Sequence, residues 1–409
     1  MITLAQAEAR LAESVTPLPA RPVPVEDALH QVLSEDACAV LTQPQWPQVA
    51  MDGYAVALGA TETRMPTETT WPEQEAMAAA GEAQAQLHPN HALRVTTGAA
   101  LPAGADTVVI QENVQRERGT LRLTEELRRG VNIRPAGQDF AAGQMLVRAG
   151  TCLHAGHIAL LRHAGVRMLP ARPPPRVAII VTGSELLAPT DSHRDGMTPD
   201  SNGPFLAAWC QQRHLPSTRD RCDESPDNLV ALLRTRLPDA DVVVITGGAS
   251  VGPRDGSHAA LQQIGARCVF RSVAQKPGKP MALYSANGIP VLLLPGNPAA
   301  VFCGAHWHLQ TLIARLQGVP VTPETVFTLS APQPQRGKRS LLLRAQVTLS
   351  ADGTLRTAVL PGQLSHLLGN LGACNALLRQ DPEGAPNATA LPGRLIGPLF
   401  PCATNDYPG

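Results

Sequence analysis

Val243-Val244-Ile245-Thr246-Gly247-Gly248-Ala249-Ser250-Val251-Gly252 is an unbroken apolar run of strand length that ends in a Thr-Gly turn. A strand apolar at every position suits burial on both faces, the environment of a parallel sheet covered by helices. The same grammar appears at Ile179-Ile180-Val181-Thr182-Gly183-Ser184-Glu185-Leu186, and Ile289–Leu294 runs into Pro295-Gly296-Asn297-Pro298. Helical patterns lie between these runs, and a helix over Pro298–Gln317 follows the last. Strand and helix in alternation predict an α/β unit. Its turns leave the carboxyl ends of the strands, where backbone N–H groups and helix N-termini favour anions, phosphate above all. One Gly-rich turn is an ordinary loop. Three on one sheet edge make a candidate binding site, with Thr182, Gly183, Ser184, Gly247, Gly248, Ser250, Gly252, Pro295, Gly296, Asn297 and Pro298 as its members.

Two further patterns strengthen it. In Gln275-Lys276-Pro277-Gly278-Lys279-Pro280 the prolines stiffen a turn that carries two ammonium groups, a clamp for phosphate or another oxyanion; the alternative is a solvated surface turn. Glu185, Asp200 and Asp255 fall in the same loops. Asp200 and Asp255 each stand just before a helix and can serve as caps. Carboxylates beside a phosphate site also suit Mg²⁺, which takes one or two of them together with substrate phosphates.

Outward from this region the texture changes. Thr3 and Gln6 form a capping-box pattern, with Leu4, Leu11 and Val15 on one face, predicting a helix over residues 3–15 before a Pro-rich connector at 17–24. Segment 45–140 has short apolar bursts (Leu93–Thr96, Thr107–Ile110, Leu121–Leu123) between turn residues and reads as a β-rich unit. A helix around Ile158–Leu161 follows, then the stiff linker Arg172-Pro173-Pro174-Pro175. After Pro320, alternation at Ser340–Val347 predicts a small C-terminal β-domain. The pairs His154/His157 and His306/His308 lack a third metal ligand at characteristic spacing and read as ordinary histidines.

Composition excludes several classes. A length of 409 residues allows two to four domains, and 34 basic against 34 acidic residues give no cationic excess for nucleic acid. The 3% of aromatics argues against a base- or sugar-stacking platform, and 38 prolines exclude a coiled coil or long bundle. The eight cysteines contain no C-x-x-C and read as free thiols. Neither a signal peptide nor an apolar run of spanning length stands out, which predicts a cytoplasmic protein without a membrane partner.

Taken in order, MDGYA (51–55), TTGAALPAGADTVVIQE (96–112), GVNIRPAGQD (130–139), TGSEL (182–186), DSNG (200–203), ITGGASVG (245–252), KPGKP (276–280) and LPGNP (294–298) resemble the molybdopterin molybdenumtransferase family, the bacterial MoeA proteins and the E domain of gephyrin. The resemblance implies an α/β plus β, multidomain, elongated chain. Residues 1–45 and 140–172 would form a connecting domain and 46–139 an inserted β-rich domain. Residues 173–322 would form a MogA-like three-layer α/β/α domain, and 323–409 a C-terminal β-barrel-like domain. It further implies a cytoplasmic homodimer that takes adenylylated molybdopterin and molybdate, inserts the metal into the dithiolene with Mg²⁺, and releases AMP. A molybdopterin adenylyltransferase and downstream cofactor-delivery proteins are implied as further partners. On that pattern Lys276 and Lys279 neutralise molybdate or phosphate, Glu185 and Asp255 hold Mg²⁺ or its water, and the Gly247–Gly252 loop cradles the pterin phosphate. Asp200, Ser201, Asn202 and Ser365 join the binding set, while Asp52, Thr97 and Asp139 come from the partner subunit. Departures from the pattern are Ala50 for Ser, Gln138 for Glu, Pro253-Arg254-Asp255-Gly256 for an acidic and aromatic stretch, Ala299-Ala300 for Val-Ser, Leu364 for Gly and Gly369-Asn370 for serines. A non-catalytic molybdopterin carrier or scaffold, and a molybdopterin adenylyltransferase, are the alternative readings.

Overall fold

In a computed structural model the chain is described over residues 1–59, 61–187, 192, 195–249, 256–321, 323–334 and 337–401. The apolar runs form the centre of a six-stranded sheet. Val177–Thr182 lies between Ser217–Cys222 and Val242–Thr246, and Ile289–Leu294 follows, all four parallel. The sheet is not wholly parallel, as the sequence reading had it. Ala282–Ala286 pairs antiparallel with Ile289–Leu294, and Arg267–Arg271 adds antiparallel outside it. The cause is the two-residue turn Asn287-Gly288, with φ of 51° and 85°, the primed turn whose twist matches a hairpin.

Burial on both faces explains the unbroken apolar runs. Val177, Ile179 and Val181 join a core with Leu206, Trp209, Val301 and Trp307, while Ala178 and Ile180 join another with Leu229, Leu233 and Leu261. Helix Asn202–Gln211 and the run Pro298–Gly304, Ala305–Leu309 (a π turn) and Gln310–Gln317 therefore cover one face; Pro226–Arg236 and Gly256–Gln263 cover the other. This is the expected three-layer α/β/α arrangement. The last helix ends at Gly318, φ 69°, a left-handed cap.

The first helix, Leu4–Glu13, has the capping box read from Thr3 and Gln6, and its Leu4, Ala7 and Leu11 pack into the core that holds Trp307. Strands Arg21–Pro24, Met168–Arg172 and Val32–Leu33 form one sheet, so residues 23–39 share a core with 140–171. Between them, Val114–Glu117, Thr120–Leu123, Thr70–Ala78, Ala92–Val95, Gly53–Val56 and Thr107–Ile110 make a six-stranded sheet in that order. C-terminally, Ser340–Leu349, Leu355–Val359, Thr325–Pro334, Asn387–Leu395 and Ala376–Gln380 close on themselves as a five-stranded barrel. Gln275–Lys276 pairs with Ser340–Leu341 and ties the lysine turn to that barrel. The seven cysteines among the described residues are unpaired, and none of the described helices is long and apolar enough to cross a membrane.

Candidate active site

Parallel strands place their carboxyl-end turns side by side, and here one amide joins them. Asn202, at the start of its helix, donates from Nδ2 to Thr246 Oγ1 at 3.0 Å and to the Gly296 carbonyl at 2.8 Å. Thr182 Oγ1 donates to the Thr246 carbonyl at 3.3 Å, and the Gly247 N–H to the Leu294 carbonyl at 3.1 Å. Thr182, Thr246, Gly247, Gly296 and Asn202 are thus one cluster. Gly247 must be glycine: its φ is 98° and a Cβ there would lie 2.3 Å from the Thr182 carbonyl oxygen. Gly248, φ 58°, sits so close to Ser257 that a Cβ would meet Oγ at 2.4 Å. Asn202 Oδ1 is buried without a hydrogen-bond partner.

Around the first turn, Asp200 accepts the Gly203 N–H at 2.9 Å, the capping role foreseen as its alternative. Ser201 occupies the N-cap without a side-chain cap bond, and Ser184 and Glu185 are exposed. The Glu185 carboxylate folds back over Gly183, where a Cβ would lie 2.9 Å from both of its oxygens. Ser250, Gly252 and Asp255 lie outside the described residues.

The lysine turn reaches the same edge through strand register. Ala282 pairs with Leu293, so residues 276–280, just before it, sit beyond the carboxyl end of Ile289–Leu294. Lys276 and Lys279 are exposed. Gln275, between them and the barrel, is 1% exposed and donates to the Pro277 carbonyl at 3.1 Å. Its Oε1 accepts from His308 Nε2 at 2.9 Å, so the proton of this imidazole sits on Nε2. Burial pushes the His308 pKa down to about 3, which keeps the ring neutral and able to hold that tautomer. His308, read as an ordinary histidine, is thus the brace of the turn.

Ser365 comes from the barrel side: its carbonyl accepts the Ala299 N–H at 3.3 Å in the first turn after Pro298. Arg344 holds that loop. Its NH1 donates to the Leu367 carbonyl at 2.7 Å and its NH2 to Gly362 and Leu364 at 2.5 and 3.2 Å. A buried guanidinium in a strand carries no sequence signal of its own, and the reading missed it. Pro295 is buried, whereas Asn297 is exposed at the helix entrance; Ala299 and Ala300 are buried.

In the inserted sheet, Asp52 accepts from the Thr97 N–H at 2.7 Å and from Thr97 Oγ1 at 2.8 Å, and these bonds hold the Asp52 carboxyl below its ordinary pKa. The Ala50 N–H donates to the Asn132 carbonyl at 2.9 Å, so MDGYA, TTGA and GVNIR converge. Asp139 is fixed separately, through its N–H to the Gln43 carbonyl at 3.0 Å, and Gln138 beside it is exposed. Among the described residues no hydrogen bond or ion pair links Asp52, Thr97 or Asp139 to the strand-edge turns. Nor do any three His, Cys, Asp or Glu side chains among them converge on a metal position. His154 and His157 form a helix capping box.

The chain is similar to known proteins over most of its length. The family description "MoeA N-terminal region (domain I and II)" matches residues 2–165, and "Probable molybdopterin binding domain" matches 178–315. A molybdopterin molybdenumtransferase of a Nostoc species is 32% identical over 349 residues, covering 83% of this chain and 79% of its own. One of Bacillus subtilis is 31% identical over 322 residues, covering 76% and 75%. A solved structure of the molybdopterin biosynthesis MoeA protein of Pyrococcus horikoshii shares the fold, with a TM-score of 0.78 at 23% identity over 98% of this chain and all of that one. Ordered motifs, the closed strand-edge cluster and these relatives agree, and the chain belongs to the molybdopterin molybdenumtransferase family of molybdenum cofactor biosynthesis.

Proposed function

We propose that this chain inserts molybdate into the dithiolene of adenylylated molybdopterin with release of AMP. The observation that carries the reading is the Asn202 cluster, which draws the turns after three parallel strands together at the sheet edge where the two-lysine turn also lies. A pyrophosphate-linked substrate and a tetrahedral oxyanion need fixed donors and cations in one place, and such an edge supplies them. The N–H groups of Gly183, Gly247 and Ala299 are already engaged by the Cys222, Leu294 and Ser365 carbonyls. Phosphate binding therefore falls to Ser184, Gly248, Ser250, Gly252 and Asn297, with Ser201 from the adjoining helix, while Thr182, Gly183 and Asn202, whose donors are engaged, hold the turns in place.

Lys276 and Lys279 neutralise the oxyanion from the braced turn. The donor set fits Mg²⁺: Glu185 folds over Gly183 at the strand end, and this cation accepts few protein carboxylates when substrate oxygens complete its shell. Glu185 and Asp255 would hold it, and the charge it supplies stabilises the phosphate oxygens. Asp52, Thr97 and Asp139 act from the partner subunit of a homodimer, a reading supported by the absence, among the described residues, of any hydrogen bond or ion pair between them and the strand edge. Separate cores support a unit of 23–39 with 140–171, an inserted 46–139 and a barrel core, whereas Leu4, Ala7, Leu11 and Val15 pack with the α/β core, which also takes in Leu342 and Leu377. The cytoplasm, with a molybdopterin adenylyltransferase and downstream acceptors as neighbours, follows from the same reading.

Lys279→Ala should abolish molybdate-dependent AMP release while leaving the dimer intact, measured by nucleotide chromatography and light scattering. Unchanged turnover would overturn the clamp. Tight binding of substrate without turnover by the unaltered chain would favour a carrier, and ATP consumption an adenylyltransferase.

A further inference from the structure

A second cluster of charge lies away from the strand edge. Helix Asn202–Gln211 and the helix from Pro298 both start at the Asn202 cluster and run from it, so residue 213 and residue 310 lie about 15–18 Å away at 1.5 Å per residue. There the two helices and the barrel strand Asn387–Leu395 line an open cavity of about 400 Å³. Its lining includes Arg213, Gln310, His306, Arg394, Leu395 and Ile396.

Arg213 has only neutral neighbours. Its Nε donates to Gln310 Oε1 at 2.8 Å, NH1 to the Trp209 carbonyl at 3.3 Å, and NH2 approaches His306 Nδ1 at 3.5 Å. The guanidinium also stacks 4.1 Å from the Trp209 ring centroid. Among the described residues no carboxylate forms an ion pair with it. A guanidinium has five N–H donors, so three neutral acceptors leave two for a ligand.

His306 cannot supply a counter-charge. Its Nδ1 accepts from Trp209 Nε1 at 3.3 Å, and burial beside Arg213 holds it neutral, with a pKa near 3. Arg394, 7% exposed on the facing strand, donates to Glu8 at 3.0 Å and to the Trp307 carbonyl at 3.1 Å. Its Nε is buried away from solvent, with no partner among the described residues. The half-buried Arg213 therefore borders this polar cavity without a counter-ion, whereas Arg394 beside it is compensated by Glu8. Uncompensated charge of this kind is costly unless an anion completes it.

We infer that this cavity binds a phosphate group on Arg213, with Leu395 and Ile396 accommodating the organic part of a small phosphate monoester. Planar guanidinium donors match phosphate oxygens in pairs. Inorganic phosphate and AMP are the two probes, titrated calorimetrically into the full chain carrying Lys276→Ala and Lys279→Ala, which weakens anion binding at the strand edge. Both probes, or AMP alone, should bind. Arg213→Gln should weaken binding at least about tenfold, the loss expected for one charge-assisted hydrogen bond. Gln310→Glu, which keeps the arginine and supplies a carboxylate beside it, should have the same effect while preserving or raising the melting temperature. This second variant answers the question should Arg213→Gln fail to fold. Equal affinity for AMP and phosphate would assign the site to the phosphate group alone, and tighter AMP binding would add the organic contact. No binding of either probe at 10-fold above about 1 mM, or binding unaffected by both cavity substitutions, would overturn the assignment. The site is independent of the strand-edge reading, since the double lysine variant weakens the one and the cavity substitutions alter only the other.

Discussion

Asn202 concentrates the chemistry of the strand edge in a single amide. Its two donor bonds hold the turns of two different strands to a third, and its oxygen is left over. Replacing it with Ala removes both bonds and leaves Thr246 and Gly296 short of a donor. At about 0.5–1.5 kcal/mol for each neutral bond, Asn202→Ala should destabilise the chain by roughly 1–3 kcal/mol, read by denaturant unfolding. Substrate affinity should fall along with it; a variant with native affinity would show that the turns hold their positions without the amide. Asn202 was legible as part of DSNG, but its partners were not. Thr246 and Gly296 are 44 and 94 residues distant in the chain, a pairing only the parallel register creates.

Among the elements, the loop carrying Ser365 depends on a strand it does not belong to. Arg344 in Ser340–Leu349 satisfies three of its carbonyls, and the Gln363 side chain returns bonds to the Arg344 backbone. Arg344→Met keeps the stem but removes the donors. A bond to a charged group contributes about 1.5–3 kcal/mol, so the variant should lose at least that much stability. Limited proteolysis should then open the chain between residues 361 and 374 before it opens the barrel strands. Protection equal to the unaltered chain would mean that Asn370 and the backbone suffice. The mixed character of the central sheet belongs to this scale too. Asn287-Gly288 is a strong hairpin signal, yet Ala282–Ala286 has no alternation to announce a strand because Leu283 and Ala282 are buried on opposite faces.

For the whole molecule, the packing of three units against one another buries two histidines that would be charged in water below their ordinary pKa. His306 and His308 are held neutral, each with a pKa pushed to about 3 by desolvation first and by Arg213 or Arg394 second. Between pH 6.5 and 3 the unfolded chain binds protons that the folded chain refuses, so stability rises with pH in that window and is lost on acidification. Each histidine contributes a slope of up to about 1.4 kcal/mol per pH unit well below 6.5. Melting should therefore drop steeply between pH 6 and 4.5. His308→Gln, which keeps a donor for Gln275, should flatten that dependence by one proton; an unchanged slope would mean that His308 is protonated in the folded state.

By itself the amino-acid sequence determined the classes of local structure. Unbroken apolar runs require strands buried on both faces, Thr3 with Gln6 requires a helix start, and glycines with positive φ requirements mark the turns. Local rules suffice for these because each depends on neighbours within a few residues. Tertiary structure alone decided which turn meets which, that Gln275 rests on His308, that Ser365 closes over Ala299, and that Arg213 faces a cavity with no carboxylate. Those outcomes depend on strand order, register and the seating of the barrel on the α/β layers, which bring together residues whose separation in sequence carries no trace of their contact.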